Sequence, residues 1–194
     1  MHCDALSVAN TVLSTPRWKV TGIPLVPSMI HQLVNSPEWE KTDTSSIKIT
    51  KSAAAFLPPE LLAKFRSKLG STPYQSYGSS ESVRAPHFAS TIMKIHAPKF
   101  TQPMAITVTM RENCIPGYKP VDESVGILMS GLQARIVGED GTDCGIGEPG
   151  ELWVKGDCIS RGYFNDEQAT ARTFTRDGWL KMGDIFTIDE KGNY

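Results

Sequence analysis

Between Val20 and Tyr77 the apolar residues alternate between a period of two and a period of 3.6. No other feature limits so strongly what this chain can fold into. Val20–Val26 reads as a short strand, and Ser28–Val34 as a helix that stops at the Asn35-Ser36-Pro37 turn signal. Ser46–Thr50 reads as a second strand. Pro59–Leu69 is an amphipathic helix with Leu61, Leu62, Phe65 and Leu69 on one face, and Gly70 stands where a C-cap belongs. Extended structure returns near Tyr74–Tyr77. Strand, helix, strand, helix, strand is the grammar of a parallel α/β sheet.

The pattern then changes. Gly126–Met129, Gln133–Val137, Glu151–Lys155, Leu180–Met182 and Ile185–Asp189 are short strand candidates separated by Gly-rich turns. Glu139-Asp140-Gly141 and Glu190-Lys191-Gly192 read as hairpin turns. One helix interrupts them: Asn165 caps it, Gln168 stands at its third position, and it runs to about Phe174. Short strands joined by turns suggest a small barrel or distorted sandwich. The expected fold class is therefore α/β: the end of a βαβα parallel-sheet subdomain over residues 20–82, then a small β-barrel-like subdomain over 125–194. Residues 83–124 read as an insert or long loop, and residues 1–19 stay unassigned. Charge divides at the same point: residues 1–125 carry 13 Lys/Arg against 9 Asp/Glu, and residues 126–194 carry 7 against 12.

Composition removes several function classes. With 20 Lys/Arg against 21 Asp/Glu, the net charge of −1 lacks the basic excess of a nucleic-acid-coating protein. No apolar run approaches the roughly 20 residues that cross a bilayer, and Met1-His2-Cys3-Asp4 does not open like a secretory signal. The expectation is a cytoplasmic protein, with a peroxisomal site open to a longer parent. Cys3, Cys114, Cys144 and Cys158 are scattered, as are His2, His31, His87 and His96, so neither a disulfide framework nor a zinc site is indicated. Gly145-Ile146-Gly147-Glu148-Pro149-Gly150 has the letters of a dinucleotide fingerprint, but Pro149 and the strand-like Glu151-Leu152-Trp153-Val154 follow where a helix should open. It reads as a turn.

Two segments carry chemistry. In Gln75-Ser76-Tyr77-Gly78-Ser79-Ser80-Glu81-Ser82, Tyr77 offers a flat ring to a base and Gly78 allows close backbone approach. Ser79, Ser80 and Ser82 offer donors to phosphate, and Glu81 a hard oxygen to Mg²⁺. A Ser-rich surface turn accounts for the same residues when they are taken alone. The second segment runs Gly150-Glu151-Leu152-Trp153-Val154-Lys155-Gly156, then Gly162-Tyr163, Thr170, Phe174, Asp177-Gly178-Trp179 and Gly183-Asp184. Asp184 is a carboxylate at a strand end, suited to both hydroxyls of a ribose. Trp179 reads as a core anchor, and singly each of these residues is also explained by structure.

In this order the segments resemble the adenylate-forming superfamily: acyl-CoA synthetases, 4-coumarate–CoA ligases, firefly luciferase and peptide-synthetase adenylation domains. Val20-Thr21 with Val26-Pro27 is similar to that family's "VT…VPP", and Ser52-Ala53-Ala54-Ala55-Phe56-Leu57 to its "SGAAPL" turn. Ser76–Glu81 is similar to "GYGxTE", and Gly150–Asp184 to "GELxVxG…GY…T…F…DGW…TGD". The resemblance implies that Ala54, Ala55 and Phe56 border an adenine and that Tyr77 stacks on it. Gln75, Ser76, Gly78 and Ser79 would line the nucleotide and acyl pocket. Ser80 would bind phosphate, Glu81 would hold Mg²⁺, and Asp184 would hold the ribose; Ser80 and Glu81 would be the catalytic pair.

The implied ligands are ATP or AMP, Mg²⁺, a small carboxylic acid, and the thiol of CoA or a carrier protein. Neither nucleic acid nor a membrane span is expected. Ser76 stands for Gly, Phe56 for Pro, Ser80 for Thr, and Met182 for the Thr of "TGD". The family's phosphate loop, ending in Pro-Lys-Gly, has no counterpart in Met1–Lys19, and the chain ends at Asp189–Tyr194, ahead of the family's hinge. The catalytic lysine and the second ribose contact therefore lie outside these residues. The expectation is a fragment of an AMP-forming acid–CoA ligase, inactive alone. The alternatives are a nucleotide- or partner-binding remnant, or part of a peptide-synthetase-like adenylation domain.

Overall fold

A computed structural model of the chain describes residues 15–70, 72–82, 105–109, 116–121 and 124–194. Most of the expected 83–124 insert, Cys3, Cys114, His2, His87 and His96 lie outside the described residues. By backbone contacts the chain divides into two units, Met1–Ser76 with Thr109–Glu123 and Tyr77–Val108 with Ser124–Tyr194.

In the first unit a short helix α1 (Thr15–Trp18) precedes strand β1 (Gly22–Leu25), which turns Ile23 and Leu25 inward. Helix α2 (Pro27–Val34) follows, with Pro27 in its first turn, where a missing N–H costs nothing. Ile30 and Leu33 face the core. Helix α3 (Pro37–Lys41) was not legible as a helix, although its signals are present: the Ser36 hydroxyl accepts from the Glu38 N–H, and Pro37 opens the first turn. Strand β2 spans Ile49–Ser52, starting three residues later than expected. The shift has a local cause, because Asp43 Oδ1 accepts from Ser45 N–H and Ile47 N–H bonds Thr44 O, so Ser46 and Ile47 belong to a turn.

Helix α4 (Pro59–Leu69) ends as read, with Gly70 left-handed at φ 65° and its N–H on Arg66 O. Strand β3 (Tyr74–Tyr77) completes a parallel set: Gly22 pairs with Ile49, and Lys51 with Tyr74. Ile23, Ile30, Leu33, Leu62 and Phe65 make the core, with Trp39 stacked on Phe65 at 5.7 Å. Because the strands are parallel, their carboxyl ends share one edge. The turn Ala53–Phe56 leaves β2 there, beside Ser76 of β3.

The second unit is antiparallel. Strand β4 (Thr107–Val108) pairs with β5 (Ile127–Leu128), and β6 (Leu132–Val137), β7 (Gly150–Gly156) and β8 (Leu180–Phe186) form a three-stranded meander. Along β7 the side chains alternate, so Leu152 and Val154 are fully buried with Ile106, Ile136 and Leu180. The strand expected at Leu180–Met182 and the first two residues of the one expected at Ile185–Asp189 form a single strand with an irregular register, and Thr187–Asp189 lie outside it. Helix α5 (Glu167–Thr173) is capped by Asp166, whose carboxylate accepts from Ala169 N–H, and not by Asn165, which is left-handed at φ 54°. The cap sits one residue later because Asn165, in the left-handed conformation, turns the chain, and the Asp166 carboxylate is then the one placed to accept from the first turn.

Trp179 is not a core anchor. It is half-buried, with the Arg135 and Lys155 cations over its ring at 5.4 and 5.8 Å. Cys144 and Cys158 are free thiols packed against the core. Among the described residues no helix is long and apolar enough to cross a membrane.

Candidate functional site

The described cleft belongs to the second unit, and local backbone builds it. At the end of β3, Tyr77 O accepts from Ile106 N–H, and the Tyr77 ring sets its edge against Phe186, centroids 4.8 Å apart. From there the Tyr77 hydroxyl donates to the carboxylate of Asp184, 107 positions away in the chain. Burial, and then the bond to Asp184, push the Tyr77 phenol far up, so it remains a donor at any pH of interest.

The segment after β3 is a locked turn. Ser82 is fully buried, and its hydroxyl donates to Ser79 O at 2.7 Å. Ser160 N–H donates to Glu81 O, so the backbone of Glu81 is fixed on both sides. The Glu81 side chain accepts the Tyr163 hydroxyl at 2.6 Å. That bond comes first among the causes that hold the Glu81 carboxyl below its ordinary value, and it also raises the Tyr163 phenol. Tyr163 is itself placed by α5: its N–H donates to Thr170 Oγ1 at 2.9 Å and its ring meets the edge of Phe174. Gly162 precedes it at φ 147°, and a Cβ there would lie 2.6 Å from the Thr170 methyl.

Glu81 and Tyr163 line a cleft of about 350 Å³ with Ser79, Glu151, Arg172 and Lys181. The cleft thus presents carboxylates and cations together. Met182 and Gly183 line it as well, and Met182 also packs against the core. Gly78 and Ser80 are exposed beside this turn. In the first unit, Gln75 is buried in β3 with its backbone bonded to Thr109, while Ser76 is half-buried. Ala54, Ala55 and Phe56 are exposed; Ala54 holds φ 75°, a conformation that strains a residue with a Cβ.

The structure therefore brings together Tyr77 with Asp184, and Ser79 with Glu81. Sequence reasoning did not assign roles to Tyr163, Glu151, Arg172 or Lys181. Tyr163 and Glu151 lay inside the second motif, but their partners are set by register. Arg172 had no signal at all. Among the described residues no group of three or more His, Cys, Asp or Glu side chains could cage a metal ion. A cation here would take Glu81 and oxygens of its own ligand.

Known proteins resemble this chain in sequence and in fold. The 4-coumarate–CoA ligase-like 3 of Arabidopsis thaliana is 33% identical over 180 residues, which cover 91% of this chain and 28% of that protein. The sulfoacetate–CoA ligase of Cupriavidus necator is 29% identical over 178 residues, covering 92% of this chain and 30% of the relative. The chain therefore spans less than a third of the length of these relatives. Among solved structures, the anthranilate CoA ligase AuaEII with anthranoyl-AMP superposes with a TM-score of 0.76 at 20% identity, over 98% of this chain and 32% of that one. ATP-bound MatB from Rhodopseudomonas palustris gives 0.74 at 23% identity, over 95% and 32%. At such identities these two show a shared fold. The model of the AMP-binding enzyme family matches residues 6–164, and the chain belongs to that family, the adenylate-forming enzymes its motifs resemble.

Proposed function

We propose that these residues form the nucleotide-holding part of an AMP-forming acid–CoA ligase. In that reaction a carboxylate oxygen attacks the α-phosphorus of ATP, the bond to pyrophosphate breaks, and an acyl-adenylate forms. A thiol sulfur then takes the acyl group and AMP leaves. The reading rests above all on one observation: two motifs 107 positions apart meet through the Tyr77–Asp184 hydrogen bond. In it the Tyr77 ring stacks on adenine. The Asp184 carboxylate, exposed on β8, accepts from the ribose hydroxyls.

Gln75, Ser76, Gly78 and Ser79 line the nucleotide and acyl groups. The Ser80 hydroxyl donates to phosphate, while Glu81 is kept ionised by Tyr163. A single ionised carboxylate suits Mg²⁺, which is commonly held by one or two carboxylates and the phosphates of its substrate. Bound there, Mg²⁺ would neutralise phosphate charge as two anions approach. The carboxylic acid, and the thiol of CoA or a carrier protein, are the substrates proposed for the whole enzyme.

Binding tests this without requiring turnover. Calorimetric titration of the chain with AMP is expected to show saturable binding, weakened about tenfold or more by Asp184→Ala, the loss typical of a hydrogen bond to a charged group. Tyr77→Ala is expected to weaken it as well. Affinity unchanged by both substitutions would remove the nucleotide reading.

A further inference from the structure

Beside Asp184 the sheet is broken. Glu151 of β7 pairs with Ile185 of β8, but two residues further along β7, Trp153 pairs with Lys181, four residues back on β8. The surplus on β8 falls in Met182–Asp184, so these residues bulge from the ladder. Gly183 stands in the bulge at φ 76°, and a Cβ placed on it would meet nothing within 4 Å. Glycine is favoured there by the backbone angle and not by crowding. A bulge leaves backbone donors without ladder partners, and an unmet donor would let the segment re-register.

Glu151 supplies the missing acceptor. Its Oε1 accepts Gly183 N–H at 3.0 Å, and its Oε2 accepts the indole N–H of Trp153 at 2.7 Å. The carboxylate is thus braced by its own strand while it grips the neighbouring one. The residue it grips directly precedes Asp184.

We infer that Glu151 is a positioning residue: it holds the β8 bulge in the one register that presents Asp184 to the ribose hydroxyls, and it does so through Gly183. This rests on the ribose role proposed for Asp184. It explains why an acidic residue occupies an outward position of β7 between the buried Gly150 and Leu152.

The test compares AMP with 2′-deoxy-AMP, titrated calorimetrically into the full chain. Gln at position 151 keeps one acceptor oxygen and turns an N–H₂ toward the other donor. Glu151→Gln is therefore expected to lose about tenfold of the preference for AMP, the weight of a charged hydrogen bond, while 2′-deoxy-AMP, which keeps only the 3′-hydroxyl for Asp184, weakens less. In the double variant Glu151→Gln/Trp153→Phe the indole donor is gone, the amide oxygen is free for Gly183, and the preference is expected to return. A preference unchanged in Glu151→Gln, or equal loss of both nucleotides without rescue, overturns the inference. If the parent chain does not distinguish the two nucleotides, the ribose role of Asp184 fails instead. Hydrogen exchange at the Gly183 amide then decides the inference: protection lost in Glu151→Ala supports the brace, and equal exchange in both proteins overturns it.

Discussion

At the scale of single residues, the Tyr163–Glu81 pair couples the cleft to acid. The carboxyl of Glu81 is depressed from its ordinary 4.5, first by the hydroxyl of Tyr163. A depressed acid contributes stability that is fully present above about pH 4.5 and is lost as pH falls through the folded value. Tyr163→Phe removes the donor and keeps the ring. The Glu81 carboxyl is therefore expected to titrate closer to 4.5, and the variant to be less stable than the parent above about pH 4.5, with a shallower acid limb because the two values nearly coincide. Carboxyl NMR titration, with urea midpoints between about pH 3 and 7, checks both; an unmoved Glu81 would mean that the hydroxyl is not what holds it. Ser80, Glu81, Tyr77 and Asp184 could be named from motif order. Tyr163 could not be paired with Glu81, because a bond spanning 82 positions leaves no mark in local spacing.

At the scale of elements, the Gly150–Gly156 strand shows how much of a family motif is fold. A Cβ at Gly150 would lie 2.7 Å from Val137 O and 2.8 Å from Cys144 Sγ; one at Gly156 would lie 2.6 Å from Gly131 O. Both glycines let β7 press against the turn and strand beside it, while Leu152 and Val154 fill the core. Gly150→Ala is expected to destabilise the chain by about 2 kcal/mol, as overpacking against backbone does, read as a lower urea midpoint at an unchanged slope. A cost near zero would mean that β7 can shift away from β6. The same scale explains the misread boundaries. Helices α2 and α4 were legible because Pro starts, Gly70 and apolar spacing act locally. Strand β2 moved because the Thr44–Ile47 turn claimed its first residues, and β8 looked like two strands because Gly183 interrupts its pattern.

At the scale of the molecule, the described residues form two cores that share no residue, one around Phe65 and Ile30, the other around Leu152 and Val154. Ile30→Val is expected to cost about 1 kcal/mol and Leu152→Ala about 3 kcal/mol, and the double variant to show their sum within ~0.5 kcal/mol. Denaturant unfolding followed by tryptophan fluorescence measures all three; a larger departure from additivity would mean that the cores are coupled. The parallel α/β part, the turn-rich β part and the motif order could be read from residue order alone, since periodicity, caps and motif letters are local properties of the chain. Which groups meet is a different matter. Tyr77 reaches Asp184, Tyr163 reaches Glu81 and Glu151 grips Gly183 only because long-range packing sets the strand register and the bulge, and such contacts are fixed when the chain closes on itself.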